Sequence, residues 1–157
     1  MRNLGGPFPT PGFNKMTAAN GMYPASAPIS GELKKHIWKQ PIGAAMVSGR
    51  ISDVWLSVGA SGKDDTNALQ FEADVFINGV SCLTTKPKIA HVSGETSQQK
   101  TTKVTGDTGI TQSVVNTGAN YFDQGDVFTF DFELTRTATP TTEISSPVIV
   151  VEFEPII

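Results

Sequence analysis

YFDQGDVFTFDFELT, residues 121–135, carries the pattern on which the fold turns. Phe128, Phe130, Phe132 and Leu134 alternate with Thr129, Asp131, Glu133 and Thr135. Successive side chains on a strand point to opposite faces, so this stretch reads as a strand with one apolar and one acidic face. A helical period cannot produce that two-residue alternation. Burying each of the four apolar side chains contributes roughly 1.5–3 kcal/mol before conformational entropy is counted. Asp123-Gln124-Gly125-Asp126, just ahead, reads as a tight turn, because Asp caps local amides and Gly tolerates positive φ. The domain is expected to be built on a half-buried sheet, with the rest of the chain supplying the opposing layer.

Working outward, the same alternation recurs in residues 69–77. Leu69, Phe71, Ala73, Val75 and Ile77 share one face, and Gln70, Glu72 and Asp74 the other. Asn78-Gly79 follows, a strong hairpin signal because both turn positions need positive φ. A two-residue turn pairs Ile77 with Val80 and Val75 with Cys82, which points Cys82 inward as a small buried hydrophobe. In residues 42–60, Val54, Leu56 and Val58 oppose Asp53, Trp55 and Ser57, and Gly43 and Gly49 suggest a bend or bulge in one long strand. Residues 32–40 read as a short helix or a strand in which Ile37 and Trp38 face opposite ways, so that one meets a neighbour. Lys86-Pro87-Lys88 reads as a sheet edge, with a short strand after it that holds His91. Residues 93–109 are polar and nearly free of apolar side chains, and a loop of that length is usually functional or mobile.

The last strand lies in residues 148–154, VIVVEFE. Glu152 and Glu154 point outward from it, as Asp131 and Glu133 do from the organising strand. Like charges directly opposite each other destabilise a strand pair. With an eleven-residue connection after Arg136, residues 137–147, a simple hairpin is disfavoured and the last strand is expected to cross to the other sheet. Some seven or eight strands with long crossing connections and no clear helix give an all-β, jelly-roll-like β-sandwich over residues 32–157.

Residues 1–31 differ in kind. Five of the ten prolines fall there, with Gly5, Gly6, Gly12, Gly21 and Gly31, a density that neither helix nor sheet interior accepts. Phe8, Phe13, Met16, Met22 and Tyr23 punctuate the segment. A solvated leader gains nothing from five large apolar groups, so an extended N-terminal arm that docks on a partner is expected, with Ile37 and Trp38 as further contacts.

Composition narrows the function classes. A formal charge of −3 and a pI near 5.3 argue against a nucleic-acid surface. No apolar run is long enough to span a membrane, and residues 1–13 lack the apolar stretch of a signal peptide. Cys82 is the sole cysteine, so no intrachain disulfide can form. Only His36 and His91 could serve as a neutral-pH base, and neither sits at ligand or nucleophile spacing. There is no phosphate-cradling glycine motif. No catalytic residue, metal or cofactor is expected, and the chain is not expected to be an enzyme. Asp64-Asp65 and Asp123/Asp126 read as turn caps rather than calcium ligands, since no EF-hand spacing is present.

From about Ser48 onward, the chain resembles the decoration (cement) or head structural proteins of tailed-bacteriophage capsids. The carrying residues are Gly125-Asp126-Val127 before the alternating Phe and acid, then Leu134-Thr135-Arg136-Thr137-Ala138-Thr139-Pro140-Thr141-Thr142-Glu143. Pro147-Val148-Ile149-Val150-Val151-Glu152-Phe153-Glu154, Thr85-Lys86-Pro87-Lys88-Ile89 and the Asn78-Gly79 hairpin fit as well. The resemblance implies a β-sandwich, assembly as homotrimers, and attachment to the major capsid protein on the outer surface of a virion assembled in the host cytoplasm. It also implies that the arm grips capsid subunits. Two other expectations share the fold. A host-glycan recognition module would use Trp55 with Asp64 and Asp65, and a head–tail or baseplate component would differ only in its address.

Overall fold

The computed structural model describes residues 16–17, 36–65, 69–136 and 142–156. Thirteen strands and no helix are present among them. They are β1 (Met16–Thr17), β2 (His36–Ala44), β3 (Gly49–Val58), β4 (Gln70–Ile77), β5 (Val80–Ser81), β6 (Leu83–Thr85) and β7 (Lys88–Ala90). Then follow β8 (Lys100–Thr101), β9 (Ile110–Thr111), β10 (Val114–Val115), β11 (Tyr121–Phe122), β12 (Val127–Thr135) and β13 (Val148–Pro155). One sheet runs β1-β13-β3-β11, with β8 also pairing β3; the other runs β2-β12-β4-β7-β9, with β5 pairing β4. Every pairing in both is antiparallel. A small ribbon joins β6 to β10.

The organising strand lies at the centre of the second sheet, between β2 and β4, as its apolar face requires. Phe128, Phe130, Phe132 and Leu134 are all buried, and they register against Ile77, Val75, Ala73 and Phe71 of β4. The hairpin after β4 has the expected form. Ile77 pairs with Val80, Asn78 and Gly79 have φ of 48° and 85°, and Cys82 is buried with its N–H donating to Val75 O. Burial pushes the Cys82 thiol up to about 12, so it is inert packing.

The last strand does cross. β13 lies beside β3 in the first sheet, and the two sheets share one core. The core is closed at one end by a phenylalanine triangle that joins the sheets. The Phe128 ring centroid of β12 lies 5.0 Å from Phe122 of β11 and 5.0 Å from Phe153 of β13. Gly49 makes room for that triangle. A Cβ there would lie 2.6 Å from the Glu154 carbonyl and 2.8 Å from the Phe122 ring.

Three sequence expectations need correction. Residues 42–60 are not one bent strand. β2 and β3 belong to different sheets, and residues 45–48 turn the corner between them. Lys88 does not mark an edge, because β7 is paired on both sides, by β4 and β9. His91 lies just beyond that strand rather than within it. Of the two forms that residues 32–40 admit by sequence, helix or strand, the described part from His36 onward takes the strand, β2, bonded to β12.

Candidate functional site

The long polar stretch 93–109 proves to be the most chemically organised part of the described chain. β8 fastens it to the end of β3, where Lys100 and Thr101 pair with Val58 and Ser57. Lys100 then turns its side chain inward, fully buried. Its ammonium donates to Glu95 Oε2 at 2.7 Å, to Thr108 O at 2.7 Å and to Ala90 O at a longer 3.4 Å. A lysine has three donors, and all three are used. Glu95 also accepts from Thr108 Oγ1 and, at 3.1 Å, from Val92 N–H. Burial pushes the Glu95 carboxyl up, but the bonds from Lys100 and Val92 and the nearby charges outweigh it and hold the group below its ordinary value.

A second network adjoins the first. His91 follows β7, and its side chain is almost wholly buried. Nε2 lies 3.0 Å from Asp65 Oδ1, while no group among the described residues bonds Nδ1. Asp65 accepts from Gly94 N–H at 2.9 Å and meets Lys63 Nζ at 3.1 Å. The Gly94 amide, His91 and Lys63 hold the Asp65 carboxyl well below the usual carboxylate range. Asp64, adjacent in sequence, is buried instead. These groups tie residues 61–65 to the 93–109 loop by charge-assisted bonds. They form a clamp, and each charged group already has its partner.

The clamp makes a testable statement about acid. Asp65 and Glu95 are held lower in the folded protein than in the unfolded chain, where carboxyls titrate near about 3.9 and 4.3. A depressed folded value gives stability that is fully present above the unfolded value and is lost as pH falls through the folded one. Melting temperatures of wild type and Asp65→Asn are therefore expected to differ most above about pH 5, with the gap closing below about pH 4. A gap that stays constant on acidification would remove the Asp65 carboxylate as its cause.

Trp55 sits elsewhere, on the outer face of the first sheet. The Lys103 ammonium lies 4.2 Å from the centre of its ring, 2.6 Å from Asp53 Oδ2 and 3.5 Å from Glu152 Oε2. Asp53 and Glu152 stand directly opposite each other across β3 and β13, and Lys103 relieves their repulsion. One face of Trp55 is thus covered from within the chain. Trp55 and Asp65 are held by separate networks and do not line a common site. An open recess of about 380 Å³ lies near β8, lined in part by Ser57, Thr101, Asp107 and Ser146. Within it, Ser57 donates to Thr101 Oγ1 and Asp107 accepts from Thr101 N–H.

Of the arm residues singled out by sequence, Phe8, Phe13, Met22 and Tyr23 lie outside the described residues. Met16 begins β1, opposite Phe153 at the edge of β13. Ile37 and Trp38 lie in β2, the edge strand beside β12. Nothing in the sequence singles out Lys100 or Lys103. Two lysines in a polar run carry no local mark that one is interior and the other lies over a tryptophan. Among the described residues, no three His, Cys, Asp or Glu side chains converge as a metal-binding group. No protein-family model, no curated protein and no solved structure matches this chain.

Proposed function

We propose that this chain is a structural virion protein that decorates and stabilises a phage capsid, binding across major capsid protein subunits through its N-terminal arm and assembling as a homotrimer. The observation that carries the reading is β1. Two residues of the Pro- and Gly-rich segment lie on the edge of β13 as an added strand, the way an extended peptide engages an exposed sheet edge. A sandwich in which Lys63, Asp65, Glu95, Lys100 and Lys103 are committed to ion pairs within the chain suits a protein that works by contact. Without a disulfide, such a protein gains strength from many copies on a symmetric shell, where individually weak contacts multiply. The glycan alternative loses ground because Lys103 covers one face of Trp55.

Co-sedimentation with purified shells that lack the protein tests this reading. Full-length protein is expected to bind at a fixed ratio per capsomer. Removal of residues 1–31 is expected to leave the sandwich folded, since β1 contributes only two strand residues, and to abolish binding. Failure of the full-length protein to bind would reject the decoration role, and undiminished binding after the deletion would reject the arm.

A further inference from the structure

The open recess of about 380 Å³ beside β8 is walled by the end of β3, by β8 and by the chain entering β13, with Val58 and Val148 as its hydrocarbon. Two backbone features shape it. Gly59 lies against Ser146: its N–H donates to Ser145 O at 3.0 Å, and a Cβ on Gly59 would come within 3.0 Å of the Ser146 Cβ. Ser146 itself has φ of 52°, one of two non-glycine residues with positive φ among the described residues. A non-glycine residue held in the left-handed region carries strain, and such strain concentrates where a ligand is bound.

Asp107 is the charge of this recess. Its Oδ2 accepts from Thr101 N–H at 3.1 Å, which fixes the carboxylate and leaves Oδ1 without a partner among the described residues. No described cation pairs with it either. The Lys100 ammonium is committed to Glu95 in the interior and the Lys103 ammonium to Asp53. Around Asp107, the Gln99 amide and the Ser146 hydroxyl make no bond to a described residue, and Ser57 Oγ, which donates to Thr101 Oγ1 at 3.0 Å, keeps its acceptor lone pairs.

These groups select a ligand class. An unneutralised carboxylate repels anions, and no group of three acids or histidines is present among the described residues to hold a metal ion. No described aromatic side chain lines the recess for a sugar ring to stack on. A guanidinium binds best through both carboxylate oxygens, and one of these is taken by Thr101. A primary ammonium is a compact charge with three donors, which Asp107 Oδ1, the Gln99 carbonyl and a serine hydroxyl can accept singly. The aliphatic stem behind it would pack on Val58 and Val148.

We propose that this recess binds a primary alkylammonium group, as carried by a lysine side chain of a partner or by a free alkylamine. The site stands independently of the decoration reading. The Thr101 amide, bonded to Asp107, is a reporter within the site. Full-length protein labelled with nitrogen-15 is titrated by NMR at neutral pH and constant ionic strength with N-acetyl-lysine methylamide, N-acetyl-norleucine methylamide and butylamine. The lysine probe is expected to shift the Thr101 and Gly59 amides saturably, and the norleucine probe to leave them in place. Asp107→Asn retains an acceptor for Thr101 N–H, and it is expected to bind the lysine probe at least about tenfold more weakly with an unchanged melting temperature. Tighter binding of the lysine probe than of butylamine would assign a protein side chain as the ligand, and equal binding a free alkylamine. Absence of a saturable shift at Thr101 with either amine would overturn the proposal. So would equal binding of the norleucine probe, or of the lysine probe to Asp107→Asn.

Discussion

Replacing Lys100 with Met is expected to lower the unfolding free energy by about 3–5 kcal/mol, the range for removing one partner of a buried ion pair. Met matches the length and apolar stem of Lys, so packing is nearly conserved and the effect isolates the ammonium. Without it, Glu95 is left as a largely buried carboxylate, and the carbonyls of Thr108 and Ala90 lose their donor. Urea unfolding gives the magnitude, and hydrogen exchange locates it. Amides of residues 91–109 are expected to lose protection first, because Lys100 joins β7 to both ends of that loop. The further substitution Glu95→Gln is expected to return part of the loss, since the stranded charge is then gone. A loss under about 1 kcal/mol would mean that the ammonium finds water instead, as an exposed pair does.

Phe128→Ala is expected to cost about 3–5 kcal/mol as well, by a different route. The ring is fully buried and touches both Phe122 and Phe153, so it belongs to the contact that joins the two sheets. Truncation removes the transfer free energy of the ring and leaves a cavity that two tied sheets can only partly close. Combining Phe128→Ala with Phe153→Leu is expected to show a coupling of about 0.5–1.5 kcal/mol beyond additivity, the share due to ring–ring geometry. Additive effects would reduce the triangle to three independent burials. The Phe130–Phe132 ring contact, with centroids 4.7 Å apart, by contrast lies within one strand.

The like-charge argument that moved β13 away from β12 reached the right topology, yet its premise is broken elsewhere in the same sheet. Asp131 stands opposite Asp74, and Glu133 opposite Glu72, across β12 and β4. Lys86 makes this tolerable, with its ammonium 3.5 Å from both Glu72 and Asp74. Lys103 does the same for Asp53 and Glu152 on the other sheet. Repulsion between strands is thus a property of the whole face, including lysines from distant loops, and pairwise inspection of two strands does not contain it.

What the sequence determined by itself was local and periodic. Two-residue alternation set which faces of β3, β4 and β12 are buried, and Asn78-Gly79 set the register of its hairpin. Both follow from backbone geometry acting over a few residues. The single Cys was read as buried packing for the same reason, since its position followed from the turn. Only the tertiary structure decided that residues 42–60 divide between two sheets, because a corner and a bulge share the same glycine signal. It alone decided that Lys100 is interior and that Lys103 covers Trp55. Lys100 is placed by the pairing of β8 with Val58 of the distant β3, and Lys103 by an ion pair with Asp53, 50 positions away, and a long flexible side chain carries no local pattern that says where its charge will be satisfied.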